Sequence, residues 1–523
     1  MNETAFDTDV LIVGAGPTGL TLACELARRG VRHQIVERLD APSITTRGKG
    51  IHSRTLEVFD DLGMVDEILT TGRVKLPVVN YDADGAGVDG ELITTPSPIA
   101  TRYPEMVWIA QFDVERVLRD RHAQDGGEVL FGTSVTGFTQ LDDGVSVELQ
   151  GPGGPRGVHA RWVVGADGGR STIRKALDLP FEGVTLPTAF YLGDLRIRDL
   201  DRGRQHRWAS PAGTFVLTPL PGTEIWQFQC AISTETAEHE QPSLELYQRI
   251  IDERAGAGRI HVTNASWLSR YGGSVRLARH YRVGHVLLAG DAAHTHTPAG
   301  GQGMNTGIQD AYNLGWKLAA VTRGADPALL DTYEPERRPV AETVLAESTA
   351  KYNRFENAYD GTAEELSAAL VGFTDAFTTG LTIAYPDSPL TRDGAGHRVP
   401  YVTGLRGPGF AGSTLDLVRG PHWTALAFTD ATDVEVGSLP HDEILLHRIG
   451  TGAITDPDGA LRAAFGVEND TLVLIRPDGY TAQTIRLPAR VLVAAGQFDG
   501  FAGREFQPDV AVSDLAGDQD SKR

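Results

Sequence analysis

The chain has 523 residues, of which 41% are hydrophobic, and its formal net charge is −21. A chain of this length is expected to divide into two to four domains, each with its own apolar core. The acidic balance argues against nucleic acid as a partner, because phosphate backbones are bound by basic patches, and it suits a small or neutral substrate. The opening residues, MNETAFDTDV, carry no basic leader, and no window of the sequence is apolar enough for a membrane span. We therefore predict a cytoplasmic protein.

The first predicted elements form a short βαβ unit: an aliphatic strand over 9–14, a helix over 18–29 and a strand HQIVE that ends at Glu37. Gly14, Gly16 and Gly19 form G-x-G-x-x-G where the first strand meets the helix, the context that a dinucleotide pyrophosphate requires. Glu37 stands at about the spacing of the acid that binds a ribose hydroxyl. A second run with the same glycine spacing, GPGFAG, follows no buried strand and is interpreted as a turn. A single fingerprint in context favours FAD over a resident nicotinamide cofactor.

The stretch GDAAHTHTPAGGQGMNTGIQDA places Asp291, His294 and His296 just before a run of glycines. These are metal-ligand residue types, but the two histidines have no third ligand at metal spacing, so we predict no metal and interpret them as satisfied loop histidines. Asp291 follows a buried strand and is expected to accept hydrogen bonds from sugar-like hydroxyls. The glycines precede a helix predicted from Asn305, so backbone N–H groups there are expected to reach a flavin ring, and the helix start favours negative charge.

Between these two motifs the sequence alternates in a way that predicts an antiparallel substrate-side sheet. Four aromatic residues in this region are predicted to floor a flat substrate pocket, with plain core packing as the alternative: Tyr191, Phe215, Trp226 and Phe228. The only cysteines, Cys24 and Cys230, are far apart in the sequence and predict no disulfide framework.

Three segments in the same order, GAGPTGL, RWVVGADGGRSTIRK and GDAAHTHTPAGGQGMNTGIQDAYNLGWKLA, resemble the signatures of the FAD-dependent aromatic hydroxylases. This is the single-component class that includes p-hydroxybenzoate hydroxylase and the polyketide hydroxylases, and the likeness covers about 9–339. It implies noncovalent FAD, NADPH or NADH as a transient reductant, and dioxygen. It further implies that a flavin hydroperoxide transfers one oxygen atom to an electron-rich small aromatic molecule.

The resemblance also implies which residues act. Glu37 and Arg38 would hold the adenosine part of FAD, Asp167 would serve FAD and the passing nicotinamide, and Asp291 the ribityl chain; for Asp167, a plain Asp-Gly turn is the alternative. Pro298, beside the reactive edge of the flavin, and Arg47 are the predicted catalytic residues. The full predicted set of cofactor-binding residues is Gly14, Gly16, Pro17, Thr18, Gly19, Glu37, Arg38, Arg47, Gln111, Asp167, Asp291, Pro298, Gly301, Gly303, Met304 and Asn305.

The predicted fold class is α/β: a Rossmann-like FAD-binding domain interleaved with a β-sheet substrate domain, plus a small thioredoxin-like C-terminal domain. We assign 1–75, 105–182 and 276–340 to the FAD-binding domain, 76–104 and 183–275 to the substrate domain, and 341–390 to a helical connection. The last domain, at 396–515, resembles the thioredoxin-like appendage of the longer polyketide and phenol hydroxylases and precedes a tail at 516–523. That domain has no Cys-x-x-Cys, which excludes a disulfide redox role and leaves packing or a homo-oligomer.

Other activities fit the same cofactor cradle and stay open at this point. Baeyer–Villiger oxygenation of a ketone is the nearest alternative, followed by a flavin dehydrogenase or cyclase and by a flavin-binding module without turnover. The residue that would take a proton from a phenolic substrate has no signature in the sequence.

Overall fold

The computed structural model describes residues 6–82, 85, 87–90, 99–210, 213–233, 239–356, 375–432, 434–436, 443–487 and 492–493. The chain forms two compact units. The described residues of the first unit lie within Met1–Thr322 and Tyr333–Ile383, and those of the second lie within Arg323–Thr332 and Ala384–Arg523.

The first unit contains two large sheets, with strands numbered in chain order. The first sheet is built from β1 (Thr8–Val13), β2 (His33–Val36), β8 (Val129–Leu130), β9 (Ser134–Gln140), β10 (Val145–Gly151), β11 (Gly154–Gly165), β17 (Arg282–Val283) and β18 (Val286–Leu288). Its central order is β17-β18-β11-β1-β2-β8, and β1 runs parallel to both neighbours. The aliphatic side chains of β1 are buried, as expected for a parallel strand covered on both faces.

The second sheet is antiparallel over most of its width. It is built from β5 (Val78–Tyr81), β6 (Gly87–Gly90), β12 (Phe181–Arg198), β13 (Gln205–Ser210), β14 (Gly213–Pro219), β15 (Trp226–Ser233), β16 (His261–Ala278) and β19 (His294–Thr295). Its order is β19-β16-β12-β15-β14-β13-β5-β6. Because successive side chains of a strand point to opposite faces, this sheet has one face in an aromatic core and the other free to line a cavity.

Eight helices and one small sheet complete the described part of the first unit. The helices are α1 (Pro17–Ala27), α2 (Ser53–Asp61), α3 (Val65–Thr71), α4 (Gln111–Gln124), α5 (Thr172–Ala176), α6 (Leu244–Ala255), α7 (Gln302–Thr322) and α8 (Tyr333–Glu356). The small sheet has the order β3 (Gly50–Ile51), β7 (Val107–Trp108), β4 (Arg73–Val74). Helix α1 packs against α4 and α7, and α6 covers the aromatic face of the second sheet.

The second unit has its own apolar core around a four-stranded sheet. That sheet has the order β24 (Ile444–Ile449), β22 (Trp423–Phe428), β25 (Thr471–Ile475), β26 (Thr481–Arg486), with only β22 and β24 parallel. Two smaller strand pairs and two short helices accompany it: β20 (Leu405–Gly407) with β21 (Phe410–Gly412), β23 (Glu435–Val436) with β27 (Leu492–Val493), α9 (Thr414–Val418) and α10 (Ala460–Phe465). Short 3₁₀ turns lie at Gly290–Ala292, Pro327–Thr332 and Pro457–Gly459.

The predicted elements around the two glycine motifs are present with small shifts of their ends. Helix α1 begins at Pro17, and α7 begins at Gln302 rather than at Asn305, because the glycines before it end the preceding loop three residues earlier than expected. The helical connection predicted at 341–390 is helical up to Glu356, but residues 375–390 form turns, so the prediction is wrong there; residues 357–374 and the tail at 516–523 lie outside the described residues. The domain bounds and the thioredoxin-like assignment stay predictions. Within the described chain, no helix is both long enough and apolar enough to cross a membrane.

Candidate active site

One cavity of the first unit, of about 540 Å³, is lined by both large sheets and by the loop before α7. It brings together most residues of the predicted cofactor set. Those on its wall are Gly14, Gly16, Pro17, Thr18, Glu37, Arg38, Arg47, Gln111, Asp167, Asp291, Pro298, Gly301, Gly303 and Met304. Gly19 and Asn305 are not on the wall and support it from behind.

Of the three glycines in the turn between β1 and α1, two are closely packed against other backbone atoms and one faces open space. Gly14 has a φ of +106°, and a Cβ there would lie 2.5 Å from the carbonyl oxygen of Ala166. A Cβ on Gly19 would lie 2.0 Å from the carbonyl oxygen of Gly14, so this glycine lets the helix pack closely on the turn. A Cβ on Gly16 would meet nothing within 4 Å. The middle glycine therefore opens onto the cavity, and this cradle fits a dinucleotide pyrophosphate.

Glu37 is fixed at the end of β2 by two backbone donors. The N–H of Ala15 donates to its Oε2 at 2.9 Å and the N–H of Leu39 donates to its Oε1 at 3.1 Å. These bonds hold the carboxylate on the cavity wall beside the glycine turn, where an acid is expected to accept from a ribose hydroxyl. Arg38 and Arg47 are exposed on the same wall.

Gln111, at the start of α4, links the Arg47 loop to a buried acid. Its Oε1 accepts from the N–H of Gly48 at 3.0 Å, and its Nε2 donates to Oε1 of Glu115 at 2.8 Å. Burial raises the pKa of Glu115 to about 7. Glu115 also lines the cavity and was missed by the sequence analysis, since a glutamate inside a helix has no distinguishing pattern.

Asp167, after β11, has one satisfied and one unsatisfied oxygen. The N–H groups of Thr172 and Ile173 donate to its Oδ2 at 2.6 and 3.3 Å. Its Oδ1 is buried and has no hydrogen-bond partner among the described residues. A buried acceptor without a donor is costly, so this oxygen fits a ligand that brings a hydroxyl or an N–H group.

The prediction that His294 and His296 are satisfied loop histidines holds at one ring nitrogen each: Nδ1 of His294 and Nε2 of His296 are buried and have no hydrogen-bond partner among the described residues. Nε2 of His294 lies 2.7 Å from Asp310, which also accepts from the N–H of Gly290 at 3.1 Å and from Nε of Arg337 at 2.7 Å. Nδ1 of His296 lies 3.1 Å from the carbonyl oxygen of Thr297, and the ring lines the cavity. Within the described ranges there is no group of three or more His, Cys, Asp or Glu side chains placed to hold a metal ion. The sequence analysis missed Asp310, which lies on the helix that follows.

The loop from Pro298 to Gly301 is held in place by the side chains of Asn305 and His52. Asn305 accepts from the N–H of His52 at 2.9 Å and donates to the carbonyl oxygens of Gly50 and Gly301, also at 2.9 Å. Nε2 of His52 lies 2.9 Å from the carbonyl oxygen of Gly300, and burial lowers the pKa of His52 to about 4, so the ring is neutral. The Asn305 side chain thus positions the loop instead of lining the cofactor site. Helix α7 begins directly after this loop and directs its N-terminal dipole toward the cavity.

One face of the second sheet forms the cavity floor, defined as Phe190, Gln205, Arg207, Thr214, Val216, Gln229, Ala231 and Tyr271. Neighbouring floor residues are register partners on adjacent strands. Arg207 lies opposite Val216, and Val216 lies opposite Gln229; one row further along, Phe190 lies opposite both Ala231 and Tyr271. The floor therefore changes from polar to apolar along the strands. Its apolar row packs with Ala299, next to Pro298.

The four aromatics predicted to floor the substrate pocket lie on the other face of this sheet, so that prediction is wrong. Tyr191, Phe215, Trp226 and Phe228 are fully buried members of the core under α6, and none lines the cavity. The error is one of register, because a shift by one residue along a strand exchanges the two faces. For all of them except Trp226, an immediate neighbour in sequence, such as Phe190, lines the cavity instead.

Two cationic side chains face the polar part of the floor. Burial lowers the pKa of Arg207 to about 10, and burial together with the positive charge of Arg207 lowers the pKa of Lys49 to about 7. Nζ of Lys49 donates to Oε1 of Gln227 and lies 3.4 Å from Oε1 of Gln229. Neither cation carries a signature in the sequence, because only the fold brings residue 49 to β13 and β15.

A glycine turn with room for a pyrophosphate, an acid at the end of the next strand and an unsatisfied acceptor after β11 define a dinucleotide-binding flavoprotein. The comparisons agree. Residues 7–348 match the family model described as "FAD binding domain", and the chain belongs to that family.

Known proteins extend this result over most of the chain. A flavin-dependent monooxygenase of Mycobacteroides abscessus is 39% identical over 486 residues, covering 90% of this chain and 96% of that protein. The 6-methylpretetramide 4-monooxygenase of Streptomyces rimosus is 36% identical, with coverage of 92% and 91%. The crystal structure of aklavinone-11 hydroxylase with FAD and aklavinone superposes with a TM-score of 0.79 at 26% identity, covering 96% of this chain and 99% of that one. The predicted α/β flavoprotein fold and the prediction of a FAD-dependent monooxygenase are therefore confirmed.

Proposed function

We propose that this enzyme hydroxylates a flat, electron-rich aromatic molecule of phenolic or polyketide type, with NADPH or NADH as the transient reductant. The observation that carries the proposal is the floor of the cavity, where aromatic and small side chains form a continuous apolar surface next to Pro298. Phe190 and Tyr271 stack with ring centroids 5.2 Å apart, and the edge of Tyr352 closes the same cluster. Such a surface suits the face of a fused ring system.

The relatives support this substrate class. One of them is named for 6-methylpretetramide, and the superposed hydroxylase holds aklavinone together with FAD. Bound FAD would supply the redox chemistry, accepting a hydride from the nicotinamide and passing one atom of dioxygen to the ring. We assign noncovalent FAD contacts to the glycine turn, Glu37, Asp167 and Asp291 on the wall they share.

The protein would contribute positioning and the exclusion of water. Asn305 and His52 fix the Pro298 loop through bonds of 2.9 Å, so the reacting edge of the cofactor would face a rigid wall. The apolar row of the floor would keep the ring dry and parallel to that edge. Pro298 has no N–H, and its carbonyl oxygen is engaged by the N–H of Gly301 at 3.2 Å. We assign Pro298 and Arg47 to the reacting side and the mouth of the cavity, respectively.

The test is a turnover screen with isotopically heavy dioxygen. Purified holoenzyme would be supplied with NADPH or NADH and a panel of hydroxylated anthraquinones and tetracyclic phenols, and the products would be analysed by mass spectrometry. We expect at least one substrate to gain a single heavy oxygen atom with its ring system intact. Heavy oxygen inserted into a ring to give a lactone would instead establish Baeyer–Villiger oxygenation. Nicotinamide oxidation without any labelled product across the panel would favour a dehydrogenase.

A further inference from the structure

The polar end of the cavity floor contains a buried cation for which the described chain provides no counter-ion. Arg207 is 7% exposed and lines the cavity. Its Nε donates to Oε1 of Gln205 at 2.7 Å, and no ion pair of the guanidinium with a carboxylate is present among the described residues. Burial alone accounts for the lowered pKa of its guanidinium, with no acid opposing the shift. A buried charge without a partner is expensive, so a guanidinium held at a ligand cavity points to an anionic ligand.

Lys49 lies at the same end of the cavity and is held in place by neutral groups. Its Nζ faces the amide oxygens of Gln227 and Gln229 on β15, which accept hydrogen bonds without neutralising its charge. Gln227 in turn donates to the carbonyl oxygen of Thr46 at 2.8 Å, which ties the Lys49 segment to the sheet. The amino group is therefore positioned, while its protonation state is left free to change.

The charged groups around Lys49 come from two strands. Arg207 on β13 disfavours the ammonium form, whereas Asp194 on β12 favours it. Asp194 is 1% exposed, accepts from the N–H of Thr46 at 2.9 Å and has a pKa raised by burial to about 7, so its own charge is also partial near neutral pH. Strand β15 contributes only the two amides. This balance lets Lys49 exist as a free amine in a cavity that still contains the permanent cation of Arg207.

We propose that the polar end of the floor binds an acidic hydroxyl of the substrate between Arg207 and Lys49, and that Lys49 removes the proton from this hydroxyl. The inference rests on the proposed function, since it names the chemical class of the substrate at the same site: a phenol or enol bound as its anion. The O–H bond breaks, an N–H bond forms at Nζ of Lys49, and the electron pair stays on the oxygen, where the guanidinium of Arg207 stabilises it. No oxidant or reductant is needed.

The polarity of the floor then fixes the direction in which the substrate lies. The anionic oxygen is held in the row of Arg207 and Gln229, and the fused rings extend over the row of Phe190 and Ala231 toward Pro298. Deprotonation at one end of a conjugated ring system raises the electron density at the other. Lys49 and Arg207 would therefore both orient and activate the ring.

The probe for the test is 2-hydroxyanthraquinone, whose neutral and anionic forms absorb at different visible wavelengths, with 2-methoxyanthraquinone as its matched ether. Binding to the FAD-loaded enzyme is measured slightly above neutral pH, where the free probe still contains a neutral fraction. We expect the wild type to bind the hydroxyl probe as its anion. Arg207→Gln and Lys49→Gln should weaken that binding by about 10- to 100-fold and favour the neutral form. The ether should bind to all three proteins alike.

Lys49→Arg separates charge from basicity. This variant keeps a cation but does not take up a proton, so we expect it to bind the same anion while releasing to the buffer the proton that the wild type retains. The control is Arg196→Gln, at an exposed arginine of β12 that pairs with Glu224, and it should leave binding unchanged. Flavin content and the unfolding midpoint check that each variant folds. If Lys49→Gln does not fold, Arg207→Gln and Lys49→Arg decide the question.

Several results would overturn the inference. These are hydroxyl and ether probes that bind equally well to the wild type, a neutral bound probe, no binding of the hydroxyl probe, or Arg207→Gln with unchanged affinity and spectrum. Because the assay reads binding without turnover, it separates the two proposals. Anion binding without oxygenation of any aromatic compound would refute the proposed function, whereas oxygenation with unaltered probe binding in Arg207→Gln would refute the role of this pair alone.

Discussion

The glycine turn and the cavity floor line the same cavity with different parts of the chain. At the turn the wall is backbone, and Gly16 contributes by having no side chain. At the floor the wall is every second side chain of antiparallel strands, and Arg207 or Phe190 contributes by its chemistry. A backbone wall depends on a few positions where no other residue fits, whereas a side-chain wall depends on which face of a strand turns inward. The first is suited to a constant ligand such as a cofactor, and the second to a substrate that differs between relatives.

The largest effect should separate the two kinds of glycine in the turn. Gly14→Val adds a Cβ 2.5 Å from the carbonyl oxygen of Ala166 at a φ of +106°, so it should lower the free energy of unfolding by roughly 3 kcal/mol or more. Gly16→Val extends into open space at an ordinary φ of −76°, so it should leave the unfolding free energy of the FAD-free protein unchanged. Its FAD affinity should fall by about 10-fold or more, because the side chain occupies the pyrophosphate cradle.

Urea unfolding of the FAD-free proteins and fluorescence titration with FAD measure these two quantities. Equal destabilisation by both substitutions would mean that Gly16 is also a packing position. Full FAD affinity in Gly16→Val would place the pyrophosphate elsewhere on the wall.

The next effect tests the floor through the pH dependence of stability. The pKa of Lys49 falls from 10.5 to about 7 in the folded protein, so between those values the unfolded chain binds more protons and stability rises with pH. Below about pH 7 the ammonium in the folded state destabilises the protein by several kcal/mol, at about 1.4 kcal/mol for each unit by which the pKa is lowered. Lys49→Met removes this cost. We therefore expect the variant to exceed the wild type in stability most at about pH 6, with the gap closing toward about pH 10.

Unfolding curves of both proteins across that pH range provide the measurement. Asp194, the neighbouring acid, is left in place in both, and its attraction to the Lys49 ammonium reduces the gap near pH 7 without changing the direction of the pH dependence. A stability gap that stays constant with pH, or grows as pH rises, would contradict the lowered pKa of Lys49.

The contrast between the glycine turn and the cavity floor also explains which parts of the site can be predicted from the sequence. The turn around Gly14 and Glu37 and the loop around Asp291 and Pro298 are local signals, because their chemistry lies within short stretches of chain, and the structure assembles them on one wall. The floor was misread by one residue at three of the four predicted aromatics, such as Tyr191 in place of Phe190, whereas neither sequence neighbour of Trp226 is on the cavity wall. Both faces of this sheet are largely buried, so hydrophobicity does not distinguish them.

Other parts of the site depend on contacts between residues distant in sequence. Lys49 contacts Gln227 and Gln229, which lie about half of the first unit's length away in sequence. Asp310 contacts His294 from the helix that follows it. Periodicity and spacing report on neighbours in the chain, so pairings of this kind become visible only when the strands are in register.

A smaller effect is expected at Asp291, in the 3₁₀ turn that precedes the loop before α7. Asp291 is exposed on the cavity wall, where it is proposed to accept from a hydroxyl of the cofactor's sugar-like chain. Losing one charge-assisted hydrogen bond costs about 1.5–3 kcal/mol, so Asp291→Ala should weaken FAD binding by about 10- to 100-fold. Asp142→Ala, an exposed aspartate in the hairpin between β9 and β10, is the matched control and should bind FAD normally. Equal FAD occupancy in the two variants would remove Asp291 from the cofactor site.

The smallest effect is expected from thiol reagents, and it tests the turn and the floor together, because one cysteine lies in the helix that follows the turn and the other on the opposite face of a floor strand. Cys24 lies inside α1 at 1% exposure and its Sγ contacts the carbonyl oxygen of Leu118 at 3.2 Å. Cys230 lies at 1% exposure on the face of β15 that is turned away from the cavity, with Nη1 of Arg254 at 2.9 Å from its Sγ. Burial raises the pKa of Cys24 to about 12 and that of Cys230 to about 11, so neither forms the reactive thiolate near neutral pH.

A chromogenic disulfide reagent should therefore label the native protein slowly, label both cysteines once the chain is unfolded in urea, and leave FAD content and turnover unchanged in the native state. Fast native labelling of Cys230 accompanied by loss of substrate binding, but not of FAD, would mean that β15 exchanges its two faces, and the assignment of Gln229 and Ala231 to the floor would fail with it. Fast labelling of Cys24 with release of FAD would instead locate the mobility in α1, and the glycine turn would be the less rigid of the two walls.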